Sequence, residues 1–409
     1  MLRGLAMVTA LTLASGCSVL NGLGGSDDTS DASVDANSSD AALRCTDRLC
    51  YREVRLDLLG EASDIALGDF SGSPGFVVST WQGWITVFRG NGDGTFQMES
   101  PQRVPSQVAA GVAAGDFDND SLTDVATFEH HSDGGTGQES TFTIYYGAGT
   151  DTEFTVTGSG ERLISGYFSA DDRVDLAMAT TQNELVVMIA DGLGVWSQAA
   201  RQPVPGSGRD LTAGFFDADG LDDIAVAHWD AGGVEEDGVT IFYQNSTGAE
   251  FSDTTTIPTT PPPRAIDAST LVSAAPVEDV VVAKSCPECS TPYDLVRVYP
   301  PAGSPGGGFQ WEGLGMNVIE IIQEDFDGDG RPDVAMLTDV ADNVTAPELL
   351  VLFADSNNLW SETQWISLGA TENARFVSAD FNGDDIMDFA VAKSGNQEIL
   401  LLLSDETLR

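Results

Sequence analysis

The sequence predicts an all-β fold, built from one four-stranded unit repeated seven times. Two observations predict it. A short acidic segment recurs with its lead residue at positions 69, 116, 167, 215, 271, 325 and 380, at intervals of 47 to 56 residues. Each copy is flanked by runs of β-favouring residues bounded by Gly, Asp and polar turns. The 44 Gly among 409 residues, against 17 Pro, fit short strands joined by many turns. The 42% of apolar residues suffices for a sizeable core and excludes wholesale disorder.

Three copies are complete. They read Asp116-Phe117-Asp118-Asn119-Asp120 through Asp124, Asp325-Phe326-Asp327-Gly328-Asp329 through Asp333, and Asp380-Phe381-Asn382-Gly383-Asp384 through Asp388. Degenerate copies begin Asp69-Phe70-Ser71, Tyr167-Phe168-Ser169 and Phe215-Phe216-Asp217, and another keeps only its end, Asp279-Val280-Val281-Val282-Ala283. In the second unit Val112–Ala114 leads into the acidic loop. Val125–Phe128, Phe142–Tyr146 and Phe154–Val156 follow as strands two to four. A lone four-stranded sheet cannot bury both faces, whereas sheets packed around an axis can, so the unit reads as one blade of a seven-bladed β-propeller. A β-sandwich array needs about seven strands per module, and the period is too short for it. After the last acidic loop only Phe389–Ala392 and Ile399–Leu403 remain, while Tyr51–Leu58 precedes the first loop unassigned. That N-terminal strand supplies the missing strand of blade seven and closes the ring.

Charge narrows the partners. The 18 basic against 64 acidic side chains leave a net charge of −46, which argues against nucleic acid and anionic membrane surfaces. Three His and five Cys leave little room for zinc or haem chemistry.

Residues 1–16 carry Arg3, an apolar stretch from Leu5 to Ala14, and small residues, the pattern of a secretory signal peptide. Leu13-Ala14-Ser15-Gly16-Cys17 resembles the lipobox of bacterial lipoproteins. The resemblance implies lipidation at Cys17, and Ser18 after it implies an outer-membrane, extracytoplasmic location. Residues 17–44 then form a lipidated, flexible tether of Ser, Asp, Ala, Asn and Gly, and 45–409 the propeller. Membrane contact is expected only through the lipid, and a monomer is expected. Cys45 with Cys50, and Cys286 with Cys289, read as two short local disulfides. A redox or zinc reading of Cys286-Pro287-Glu288-Cys289 lacks a βαβ setting and a second half-site.

The acidic segments resemble the FG-GAP (or VCBS) repeats of integrin α-subunit head domains and secreted bacterial proteins. The resemblance covers residues 51–409 and implies Ca2+ in some of the hairpin loops. Calcium takes six to eight oxygens, and loop positions 1, 3, 5 and 9 with the carbonyl of position 7 can converge on one ion. The expected ligands are Asp116, Asp118, Asp120, Leu122 and Asp124; Asp325, Asp327, Asp329, Arg331 and Asp333; and Asp380, Asn382, Asp384, Ile386 and Asp388. Asp217, Asp219 and Asp223 form a weaker version with Phe215 at position 1.

Loops joining strands two and three lie on the face opposite these acidic loops and vary in length. Trp81, Trp84, His130, His131 and Trp229 fall there and mark the expected partner face. The function expected is a calcium-stabilised, non-catalytic binding or adhesion module for protein or glycan. The alternative is a propeller enzyme acting on polysaccharide, a lyase or esterase. No catalytic residue is assigned, because no nucleophile elbow or His-Glu-x-x-His motif is present.

Overall fold

The computed structural model describes residues 43–45 and 49–405, apart from 71, 105–107, 132–138, 148–150, 170, 172, 193, 218, 231–236, 246–250, 252, 270–276, 287–292, 300–309, 313–316, 340–347, 356–359, 369–371 and 396. The signal peptide, Cys17 and Cys289 lie outside the described residues. The fold is an all-β β-propeller with no helix among the described residues.

Among those residues the strands fall into seven sheets. Numbered along the chain by their innermost strands, sheet one holds Ala62–Asp69, Pro74–Thr80, Trp84–Gly90 and Phe96–Met98, with the short Gln102–Arg103 beside its third strand. Sheet two holds Gly111–Gly115, Asp124–His131, Glu139–Tyr145 and Thr152–Thr157. Sheet three holds Gly160–Gly166, Asp175–Thr180, Glu184–Ala190 and Trp196–Pro203; sheet four holds Ser207–Gly214, Asp223–Trp229, Gly238–Tyr243 and Asp253–Pro258. Sheet five holds Pro263–Ser269, Asp279–Cys286, Tyr293–Tyr299 and Gln310–Glu312; sheet six holds Asn317–Glu324, Asp333–Asp339, Glu348–Ala354 and Trp360–Ser367. Sheet seven joins Glu372–Ala379, Asp388–Ser394 and Glu398–Ser404 to the N-terminal strands Cys50–Asp57 and Leu43–Cys45. Tyr51 pairs with Ser404 and Asp57 with Glu398 along that closure. Cys50 is disulfide-bonded and stands opposite Cys45 in the register. Leu43 and Arg44, expected to belong to the tether, instead pair with Arg52 and Tyr51.

Burial follows the distance from the axis. The second strand of sheet three is buried at every position, while the outermost strand of sheet four, Asp253–Pro258, is nowhere fully buried. Inner strands are covered on both faces by neighbouring sheets, and rim strands are not. Seven buried clusters arise this way, each shared by two successive sheets, the last joining Phe381, Leu401 and Leu403 of sheet seven to Phe76 and Phe88 of sheet one. The Phe at loop position 2 recurs as Phe70, Phe117, Phe168, Phe216, Phe326 and Phe381, and all six are buried.

The innermost strands touch in sequence and the last meets the first, so they line an axis. One guanidinium occupies it. Arg162 of sheet three pairs with Asp64 of sheet one at 3.2 Å, Asp210 of sheet four at 3.1 Å and Glu320 of sheet six at 2.8 Å. Each carboxylate has a second oxygen, and it accepts a backbone N–H from the next sheet. Asp64 takes Val112 of sheet two at 3.2 Å, Asp210 takes Ile266 of sheet five at 3.0 Å, and Glu320 takes Phe376 of sheet seven at 2.8 Å. All seven sheets are thus joined through one cation. Burial works against the Arg162 charge, but Asp210, Asp64 and Glu320 outweigh it and raise its pKa.

Breaking a buried ionic group by removing one partner costs about 3–5 kcal/mol, because the remaining charges are left uncompensated. We predict that Arg162→Met lowers stability by about that amount in chemical denaturation. A loss below about 1 kcal/mol would show the hub to be incidental.

Candidate functional site

The acidic loops connect first to second strands, so they lie at one end of the ring. Left-handed backbone at loop positions 4 and 6 turns each complete loop, at Asn119 and Ser121, Gly328 and Gly330, and Gly383 and Asp385. This curls the early aspartates around the backbone N–H groups that follow. In sheet two Asp116 accepts from Asp120 at 3.0 Å and Ser121 at 2.8 Å, and Asp118 accepts from Asp120 at 3.1 Å. In sheet six Asp325 accepts from Asp329 at 3.1 Å and Gly330 at 2.7 Å.

The position-9 aspartate is set deeper. Asp124, Asp175, Asp223, Asp279, Asp333 and Asp388 are all fully buried. One oxygen accepts from the position-2 Phe, at 2.9 Å for Phe117, 3.0 Å for Phe216, 3.1 Å for Phe326 and 2.9 Å for Phe381. The other accepts from the end of the third strand, namely Gly147, Ala190, Gln244, Ala354 and Ser404 at 2.5–2.9 Å. This carboxylate ties the loop to the sheet whether or not the early acids are present. The degenerate fourth copy keeps both ties through Asp223, and the third keeps the tie to Ala190 through Asp175.

A group of three converging carboxylates appears in two of the three complete loops. Asp116, Asp118 and Asp124 bring ligand oxygens within 4.8 Å of one another, as do Asp325, Asp327 and Asp333. Position 5 is outside both groups. Asp120 instead caps the N–H of Leu122 at 2.8 Å, and Asp329 caps Arg331 at 3.0 Å while pairing with its guanidinium. Arg331 also reaches Ala354 O at 3.2 Å, so a protein cation sits beside the loop of sheet six.

In sheet seven Asp380, Asp384 and Asp388 do not form such a group among the described residues. Ser404 Oγ donates into the space between Asp384, at 3.0 Å, and Asp388, at 2.8 Å, and the Asn382 amide donates to Ser404 O at 2.9 Å. The Ile386 side chain is buried, and its N–H is capped by Asp384 at 3.0 Å. Asp217, Asp219 and Asp223 do not form such a group either among the described residues: Phe215 leaves position 1 without an acid, and Asp217 and Asp219 cap backbone N–H groups at 2.8 and 2.9 Å. In sheet three Arg173 donates to Asp171 at 2.7 Å, a cation supplied by the chain.

The expected partner residues are placed unevenly. His130 and His131 do not lie in a loop: they end the second strand of sheet two, opposite Ser140 and Glu139. The alternating register extends further than the His pair indicated. Trp229 likewise ends a strand, with Arg209 over its ring at 4.2 Å. Trp84 carries Arg103 at 5.2 Å, and Trp81 is 42% exposed. His228 is buried with Nε2 3.0 Å from Thr240 Oγ1, and burial lowers its pKa to about 4. Cys286 ends the second strand of sheet five.

A family model described as FG-GAP-like repeat matches residues 69–127 and 325–391. Within those two spans the chain carries FG-GAP-like repeats. The two matched spans contain the two loops whose carboxylates converge. No curated protein matches the chain. Among solved structures it is similar to BBS1N in complex with ARL6DN, soaked with mercury, with TM-score 0.55 and 12% identity over 86% of this chain and 98% of that one. It is also similar to the lead-soaked form of that complex, with TM-score 0.55 and 12% identity over 87% of this chain and 96% of that one. At that identity the likeness is one of fold.

Burial, against the backbone N–H bonds, raises Asp124 to about 6 and Asp175, Asp223, Asp333 and Asp388 to about 7. A folded pKa above the unfolded one adds stability at low pH that is lost as pH rises through the folded value. In chelator the protein should therefore melt at a lower temperature at pH 8 than at pH 5. Added calcium should reverse that slope, because its ligands must be deprotonated. A melt in chelator that does not fall from pH 5 to pH 8 would contradict the first statement, and parallel profiles with and without calcium would contradict the second.

Proposed function

We propose that the chain is a seven-bladed, calcium-stabilised binding module, held at the cell envelope through Cys17, that takes its partner on the face opposite the acidic loops. The convergence of Asp116, Asp118 and Asp124, and of Asp325, Asp327 and Asp333, carries the calcium reading. These are hard, all-oxygen donor sets, the chemistry calcium takes and softer metals do not. The groups lie on hairpins whose role is to hold sheets together, so the ion acts in architecture. The face at the other end carries Trp81 and Trp229, and its connections differ from sheet to sheet. A rigid ring with variable loops at one end is a platform for recognition. The lipid anchor and outer-membrane location rest on the resemblance of residues 13–17 to a lipobox.

Each occupied site adds RT ln(1 + [L]/Kd), about 2.7 kcal/mol at a hundredfold excess over Kd. Calcium should raise the melting temperature, and Asp327→Asn should remove about half of the gain if the two convergent loops supply it. Isothermal titration should find about two ions per chain, and about one in that variant. An unchanged melt in chelator would overturn the calcium reading.

A further inference from the structure

The ring has a second feature at its axis. Register shifts interrupt the pairing of innermost strands between Ala62 and Asp64, Gly160 and Arg162, Gly208 and Asp210, Pro263 and Ala265, and Val318 and Glu320. Each shift leaves one extra residue unpaired: Ser63, Glu161, Arg209, Arg264 and Ile319. A bulge re-aims the side chain it frees. These five residues, with Arg375 of sheet seven, line one cavity of about 520 Å3 at the face opposite the acidic loops. Arg162 and Asp210 form its floor, and Trp81 and Trp229 stand at its wall. Repetition has therefore built a mouth in which five sheets offer Ser, Glu, Arg, Arg and Ile at one equivalent position.

The chemistry of that mouth is unlike the rest of the surface. In a chain with 18 basic residues, Arg209, Arg264 and Arg375 converge here above a floor arginine already shared by three acids. Neither Arg264 nor Arg375 makes a direct ion pair with a described residue, although Arg375 acts at longer range on Asp64 and Asp210. Burial raises the Glu161 pKa, and Arg209 and Arg375 oppose that rise. Arg209 is pre-oriented by stacking on Trp229. Arginine forks match planar carboxylates. The indole of Trp81 offers an exposed flat face, which fits the C–H face of a pyranose better than a flexible acidic side chain.

The net charge of −46 sets the size of the ligand. A long polyanion would meet repulsion beyond the mouth, whereas a short one meets only local charges, since screening acts within about 8 Å at physiological salt. A cavity of this volume takes a ligand the size of a mono- or disaccharide. We infer that the axial mouth binds a short carboxylated saccharide, with Arg264 and Arg209 holding its carboxylate and Trp81 covering a sugar ring. This deepens the binding-module reading and rests on it for the choice of face.

The test is calorimetric titration of the calcium-loaded chain with digalacturonate, its uncharged counterpart digalactose, and triglutamate. Digalacturonate should bind and digalactose should not. Arg264→Gln should weaken binding about tenfold or more, the loss of one charge-assisted pair. Trp81→Ala should weaken it also, and Asp327→Asn should leave it intact, which separates the mouth from the calcium loops. The calcium-dependent melt of Arg264→Gln should match the parent and confirm its fold. Absence of digalacturonate binding, equal binding of digalactose, or indifference to Arg264→Gln would overturn the site. Equal, Arg264-dependent binding of triglutamate would overturn the saccharide assignment. A calcium-dependent melt that persists in any of these cases leaves the calcium-stabilised module standing and removes only this ligand.

Discussion

The constraint on which the ring depends is the need to satisfy one buried guanidinium. Arg162 can be neutralised only if sheets one, four and six bring their carboxylates to the axis together. The second oxygens of those carboxylates are satisfied only if sheets two, five and seven also present backbone N–H groups. A ring held by apolar contacts alone would tolerate sliding between sheets, since hydrophobic attraction has no direction. The ionic hub has direction and a fixed number of partners. We read it as the element that sets the phase of the sheets around the axis.

The acidic loops act at the other radius of the same problem. Five of the position-9 aspartates fasten their loops to the third strand of their own sheet, and the position-2 Phe, as at Phe326, fills the gap to a neighbour. Metal binding is added to that frame where positions 1 and 3 also carry acids. Elsewhere Arg173 takes up an acidic group, or Ser404 and Asn382 fill the space between carboxylates. One loop geometry thus accommodates a divalent cation, a guanidinium or a hydroxyl.

Much of this was legible in the sequence because it repeats. The strand order, the acidic hairpins and the N-terminal strand that pairs with Glu398–Ser404 follow from periodic signals and strand arithmetic. The hub and the mouth were not legible. Asp64, Arg162, Asp210 and Glu320 are scattered charges in strands that otherwise read as half-apolar, and the bulges that aim them leave no mark in hydrophobic alternation. The charge of each residue could be read, but its direction could not. In the loop of sheet seven the Ser404 hydroxyl between Asp384 and Asp388 could not be foreseen, because Ser404 lies sixteen residues after Asp388, beyond the span of the motif. His130 and His131 were placed in a loop because two polar residues can end a strand as readily as interrupt one.

The account stands on the claim that one charge at the axis couples sheets that are distant in sequence. Native-state hydrogen exchange at the Val112, Ile266 and Phe376 amides tests this directly, because each belongs to a different sheet and none bonds to Arg162 itself. In the parent protein all three should exchange only through the rarest, most global opening. In Arg162→Met they should lose protection together and by a similar factor, while rim amides such as those of Asp253–Pro258 change little. Loss of protection confined to sheet three would contradict the account.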